Sequence, residues 1–222
     1  MSDGDPADGD AGTADQEVDS GRGDPDESLE PAEDDPDVPE WDDEYFDRVS
    51  DRLMYNYDLE KDVRAGDEPF ALGGEMRMLN KKHFLHPSIT LGEHESFEYV
   101  YARRQPAVRV PDLERLVELG HDLADERIDP SEDHFSTEFV FVLVTESIPE
   151  EVASFVGEFS QRELLNYGYY GHYEIHLVVV APEDERIEAS RGAHVEEAFR
   201  LWAPIEREEP GLFDLITRRL QL

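Results

Sequence analysis

The chain has no cysteine, which excludes disulfides, thiolate metal sites and cysteine nucleophiles. Lysine is nearly missing too: Lys61, Lys81 and Lys82 stand beside 17 arginines. No uninterrupted apolar run approaches the ~18 to 20 residues of a membrane span. The opening "MSDGDPADGD" lacks the basic region and apolar run of a secretion signal, and it is no mitochondrial presequence. A GxxxxGK[ST] phosphate loop, a GxGxxG after a strand, a GxSxG elbow and an HExxH helix are also absent. A soluble, cytoplasmic protein is expected, without these common nucleotide-binding or hydrolytic signatures.

Carboxylates are what the chain has in excess. Acidic residues number 56 against 20 basic ones, a net charge of -36, of which -15 falls in residues 1–40 and -21 beyond them. Such self-repulsion opposes compaction at ordinary ionic strength, but at ~1 M salt the screening length falls to ~3 Å and the repulsion is largely removed. Concentrated salt is the expected working solvent. Broad nucleic-acid binding and binding to anionic lipid are disfavoured, because neutralising phosphate takes lysine and arginine. Residues 1–40 carry almost no large apolar side chain and cannot offset the entropy of ordering, so they read as a disordered acidic tail. Residues 41–222 then form a single globular domain.

Periodicity gives that domain an α+β (α/β-like) fold. "DEYFDRVSDRLMYNY" sets Tyr45, Phe46, Val49, Leu53 and Tyr57 on one helical stripe. "FALGGEMRML" and "SFEYVYARR" alternate as strands do and predict an antiparallel hairpin. "PDLERLVELGHDLADERI" is a helix with Gly120 on its apolar stripe, which implies close packing against another backbone. "EFVFVLVTE" is apolar on both faces, as a central strand is. "PEEVASFVGEFSQRELL" reads as a helix, and the strand ending in "HLVVV" completes a parallel strand-helix-strand crossover. An amphipathic helix carrying Val195, Ala198, Phe199 and Trp202 follows, then a short terminal helix over residues 211–222. The expected sheet is mixed, with about four strands and helices packed on it.

The stretch "NYGYYGHYEIHLVVV" holds the candidate chemistry. His172, Glu174 and His176 alternate along a strand and share one face, and imidazole and carboxylate are both ligands for zinc, manganese or iron. A divalent metal is therefore one reading. The outer two side chains start ~13 to 14 Å apart, so two of them with a ligand from elsewhere build a site more easily. His83, His86 and His94 are available for that. The other reading leaves His176 half-buried and hydrogen-bonded, Glu174 in solvent and His172 in the loop. In "YGYYG" the aromatic rings either stack on a ligand or, as expected, pack on the sheet.

Two further places invite an anion. The region from Met76 to Arg109 has a net charge of +3, with Arg103 and Arg104 as candidate anion-binding residues. Balance of the acidic surface by local ion pairs is the competing reading. The rim after the parallel strands holds Thr145, Glu146 and Ser147 and residues 181–185, where open α/β sheets take ligands. There Ser147 and Glu150 match a capping box.

The element order resembles the restriction-endonuclease-like core, whose site has Glu-x-Lys on a central strand; here Glu138 to Val140 reads Glu-Phe-Val, without the lysine. On "YNYDLEKD", "LERLVELGHDLADE" and "NYGYYGHYEIHLVVVAPE", the chain resembles an uncharacterised haloarchaeal family of small acidic proteins. That resemblance implies a salt-rich cytoplasm and carries no activity. Three functions are left open: a non-catalytic module binding a protein or small-molecule partner through the sheet face and residues 167–176; a metal-dependent hydrolase, nuclease-like or otherwise, using His172, Glu174 and His176; or an anion or nucleic-acid binder through Arg103 and Arg104.

Overall fold

In the computed structural model, residues 39–83 and 90–204 are described. Helix α1 (Glu44–Leu53) starts where Asp43 accepts the Tyr45 amide, with Glu44 and Asp47 in its first turn, where the helix dipole favours negative charge. The expected stripe buries Tyr45, Phe46, Val49 and Leu53. Tyr57 lies beyond the helix. The other α-helices among the described residues are α2 (Val110–Arg127), α3 (Glu150–Glu158) and the single turn α4 (Glu196–Phe199).

Seven strands are present among the described residues, more than the four or so expected: β1 (Asp58–Ala65), β2 (Glu68–His83), β3 (Thr90–Arg104), β4 (His134–Val144), β5 (Gln161–Leu164), β6 (His172–Ala181) and β7 (Arg186–Ala189). They form one mixed sheet in the order β1-β2-β3-β4-β6-β5, with β7 also on β6. The antiparallel hairpin is β2 with β3, and β3, β4 and β6 run parallel. β5 and β7 share the outer edge of β6, pairing with its first and second halves. The three additional strands are edge strands, and their short or charged sequences are how sheets discourage edge-to-edge pairing.

Both parallel crossovers advance in the same direction across the sheet, so with one handedness their helices belong on one face. α2 and α3 do share a face, packing Leu113, Leu116, Leu123, Val152 and Val156 against Phe139, Phe141, Ile175 and Leu177. The opposite face is covered by α1 and the segment around α4, through Phe46, Val49, Ala198 and Phe199 against Val100, Val140, Val142 and Val178. Fully burying each such side chain contributes ~1.5 to 3 kcal/mol. Polar contacts also fix α1. The Tyr45 hydroxyl donates to the Phe199 carbonyl at 2.6 Å, and Arg52 donates to the carbonyls of Glu197, Arg200 and Ala203.

Several local expectations change. The helix read over residues 149–165 stops at Glu158, and residues 161–164 pair as β5, because Phe159 turns to extended backbone. The helix expected through Trp202 has regular geometry only over Glu196–Phe199, although Val195, Ala198 and Phe199 are buried as anticipated. Gly120 faces the Ile175 side chain, not a backbone: a Cβ there would lie 2.8 Å from Ile175 Cδ1. α3 is preceded by Pro149 without a side-chain cap, so Ser147 and Glu150 form no capping box. The terminal helix and nearly all of the tail expected over residues 1–40 lie outside the described residues.

Candidate functional site

Parallel pairing turns isolated acidic residues into a row. Glu98 of β3, Glu138 of β4 and Glu174 of β6 are register partners, on strands ~4.8 Å apart. Ser96, Ser136 and His172 form the row before them, and Val100, Val140 and His176 the row after. Side chains two apart point the same way. All three rows therefore lie on the face that α1 covers, since Val100, Val140 and Val178 belong to that core.

The glutamates differ in setting. Glu98 is 8% exposed. Burial, then the Glu138 charge, pushes its carboxyl above the usual range, although a Tyr57 hydrogen bond pulls it back. Glu174 is the shared partner of both histidines, with Oε1 3.3 Å from His172 Nε2 and Oε2 3.7 Å from His176 Nε2. The Glu138 Oε2 atom stands 3.4 Å from the same His176 nitrogen. Arg162 reaches toward both His172 Nδ1, at 3.3 Å, and Glu174, at 3.6 Å. Burial and then this guanidinium lower the His172 pKa, so near neutrality its Nδ1 accepts from Arg162 and Nε2–H faces Glu174.

His176 is 2% exposed, and its Nε2 has no hydrogen-bond partner. Gly192 backs the ring: a Cβ there would lie 3.0 Å from His176 Cε1. His172, Glu174 and His176 are thus brought together around the central carboxylate. Among the described residues, no three His, Asp or Glu side chains are already grouped to hold a metal ion.

Beside this cluster a pocket of about 260 Å³ opens between β4 and the β5–β6 loop, lined by His94, His134, Phe135, Arg162, Tyr169 and His172 among others. Register jumps from Glu95↔His134 to Ser96↔Ser136, so Phe135 is an extra residue of the kind a bulge uses to redirect a side chain. Its ring lies 6.0 Å from His94 and 5.9 Å from His172. Gly171 is needed here: its φ is +74° and a Cβ would meet the Phe135 carbonyl oxygen at 2.1 Å.

The loop over residues 165–171 is held by its own bonds, from Leu165 N to Gly171 O and from Tyr170 N to Leu165 O. His134 fastens it to β4, donating from Nδ1 to the Tyr170 carbonyl at 2.7 Å while Nε2 accepts from Thr137 at 2.8 Å. Asn166 and Tyr167 both adopt positive φ, 47° and 57°, a strained choice for residues other than glycine. Tyr167 and Tyr169 are 93% and 80% exposed. The expected packing of these rings on the sheet does not occur.

Arg103 and Arg104 do not make one patch. As neighbours on a strand they point to opposite faces, and each is paired, Arg103 with Glu68 and Arg104 with Asp43. At the carboxyl ends of the strands a pocket of about 490 Å³ sets Arg48 and Arg104 among Asp43, Glu44, Glu183 and Glu185, a poor match for an anion. Thr145 spends its hydroxyl on the Pro106 carbonyl. The side chains of His83 and His86 lie outside the described residues.

Sequence reading found His172, Glu174 and His176 by their alternation and missed Glu98 and His134. It met Glu138 only as a motif lacking its lysine. No helix among the described residues is long and apolar enough to cross a membrane. Neither the comparison with curated proteins nor that with solved structures returns a match. A family model does match, over residues 42–201, which takes in α1, the whole sheet and the Glu/His cluster, and the chain belongs to that family, described as a domain of unknown function (DUF8052).

Proposed function

We propose that the chain is a non-catalytic soluble module of a salt-rich cytoplasm that binds a protein or small-molecule partner at the amino end of its parallel strands. Residues 41–222 are its one folded domain and residues 1–40 a solubilising tail. The carrying observation is the β5–β6 loop, whose two left-handed residues and internal bonds hold Tyr167 and Tyr169 in solvent beside the His94, Arg162 and His172 pocket. Exposed rings on a fixed loop favour binding, because little conformational entropy remains to be lost. Hydroxyl-radical footprinting tests the reading by comparing purified protein with protein in its native extract. Oxidation of Tyr167 and Tyr169 is expected to fall several-fold in the extract, while that of Tyr55, 83% exposed beyond the end of α1, stays constant. Equal oxidation of the loop tyrosines in both samples rejects it.

A second reading, a metal-dependent hydrolase using His172, Glu174 and His176, is favoured by the approach of both histidines to Glu174. A bound water would be its nucleophile. Its test is turnover of a generic phosphodiester with Mn²⁺, present in wild type and lost in His176→Gln.

A further inference from the structure

We infer that Glu138, Glu174 and His176 form a binding site for one divalent cation, of the Mn²⁺ or Zn²⁺ type, with Glu98 adding negative charge behind it. A row of carboxylates would not by itself identify a ligand. The independent observation is His176 Nε2, which is buried, without a hydrogen-bond partner and aimed at two of those carboxylates. Its distances of 3.4 Å to Glu138 Oε2 and 3.7 Å to Glu174 Oε2 exceed the 2.7 to 3.2 Å of an N–H···O hydrogen bond. They suit two atoms sharing an ion: with bonds of ~2.0 to 2.2 Å at a tetrahedral angle, ligand atoms stand ~3.4 Å apart.

The three groups do not yet close on one point, and closing them takes rotation of the two glutamates. Their side chains are 30% and 25% exposed, so both have room to turn and a route for an ion. The histidine does not need to move, because Gly192 lets the chain run against its ring. His172, against the other oxygen of Glu174, then orients that carboxylate as outer-sphere groups do. A nitrogen with two carboxylate oxygens favours manganese or zinc over calcium and magnesium, which prefer oxygen alone. The inference concerns ion binding and holds with or without hydrolysis.

The test is calorimetric titration of the full chain with Mn²⁺ and with Zn²⁺, in chelator-treated buffer at a KCl concentration that keeps it folded. Melting curves are recorded for each variant. One saturable site is expected in wild type, weakened at least tenfold in Glu138→Gln and Glu174→Gln and unchanged in Glu150→Gln, a control carboxylate on an exposed surface. Each isosteric variant should stay folded without metal, with metal raising the melting temperature of wild type and Glu150→Gln and much less that of the two site variants. Absence of a saturable site up to millimolar ion overturns the inference. Equal binding by wild type and both site variants does so too, as it would show only diffuse attraction to an acidic surface.

Discussion

Burial and the neighbouring Glu138 charge raise the Glu98 carboxyl, so the folded chain holds a proton there more tightly than the unfolded one. Stability from this group is therefore greatest below the unfolded glutamate value, ~4.3, and falls as pH rises through the raised folded value. In chelator and fixed salt, Glu98→Gln should melt above wild type at pH 7, by ~2 to 4 °C for each kcal/mol relieved. The gap should shrink as pH drops toward 4. Melting curves from pH 4 to 8 check this, and a lower melting point for the variant at pH 7 contradicts it. The same residue shows what a one-dimensional reading misses. His172, Glu174 and His176 are visible because period two lies along the chain, whereas Glu98 and Glu138 become neighbours only through register between strands about 40 residues apart, which no local pattern contains.

Helix α2 meets strand β6 where Gly120 faces Ile175, and the contact decides the sign of a common stabilising change. Alanine for an interior helical glycine gains ~1 kcal/mol of propensity, but the new methyl would lie 2.8 Å from Ile175 Cδ1 and 2.9 Å from Cγ1. Overpacking a tight core costs ~1 to 3 kcal/mol. Gly120→Ala should therefore destabilise by about 1 kcal/mol, and Ile175→Val in the same chain should recover part of the loss. A urea-unfolding cycle over the four proteins measures the coupling, and a more stable single variant would refute it. At this scale the sequence was informative where packing is two-sided or strongly amphipathic: α1, α2 and the apolar strands β4 and β6 declare themselves. β5 and β7 have four residues each, and β1 offers few large apolar side chains. Their pairing is supplied by the strand next to them, so their own residues carry little signal. The glycine was readable as a place of close approach, but not the side chain that approaches it.

Across the whole molecule the surplus of -36 charges sets the conditions under which these contacts hold. Screening acts over ~10 Å at 0.1 M salt and ~3 Å at 1 M, so the melting temperature should climb steadily between those KCl concentrations and flatten above them. A melting point indifferent to KCl from 0.05 M upward would mean that self-repulsion is not what limits stability. Arginine does more than neutralise in this setting, since Arg127 and Arg103 lie over the rings of Tyr99 and Phe70 at 4.9 and 5.1 Å, contacts that suit a planar guanidinium better than an ammonium group. The strand order β1-β2-β3-β4-β6 has a meaning in time as well as in space. A chain leaving the ribosome completes each of these strands after β1 when the neighbour before it in this order already exists, and β5 waits only seven residues for β6. Assembly can proceed outward from the first hairpin as synthesis does, each new strand docking on the edge left by the one before it.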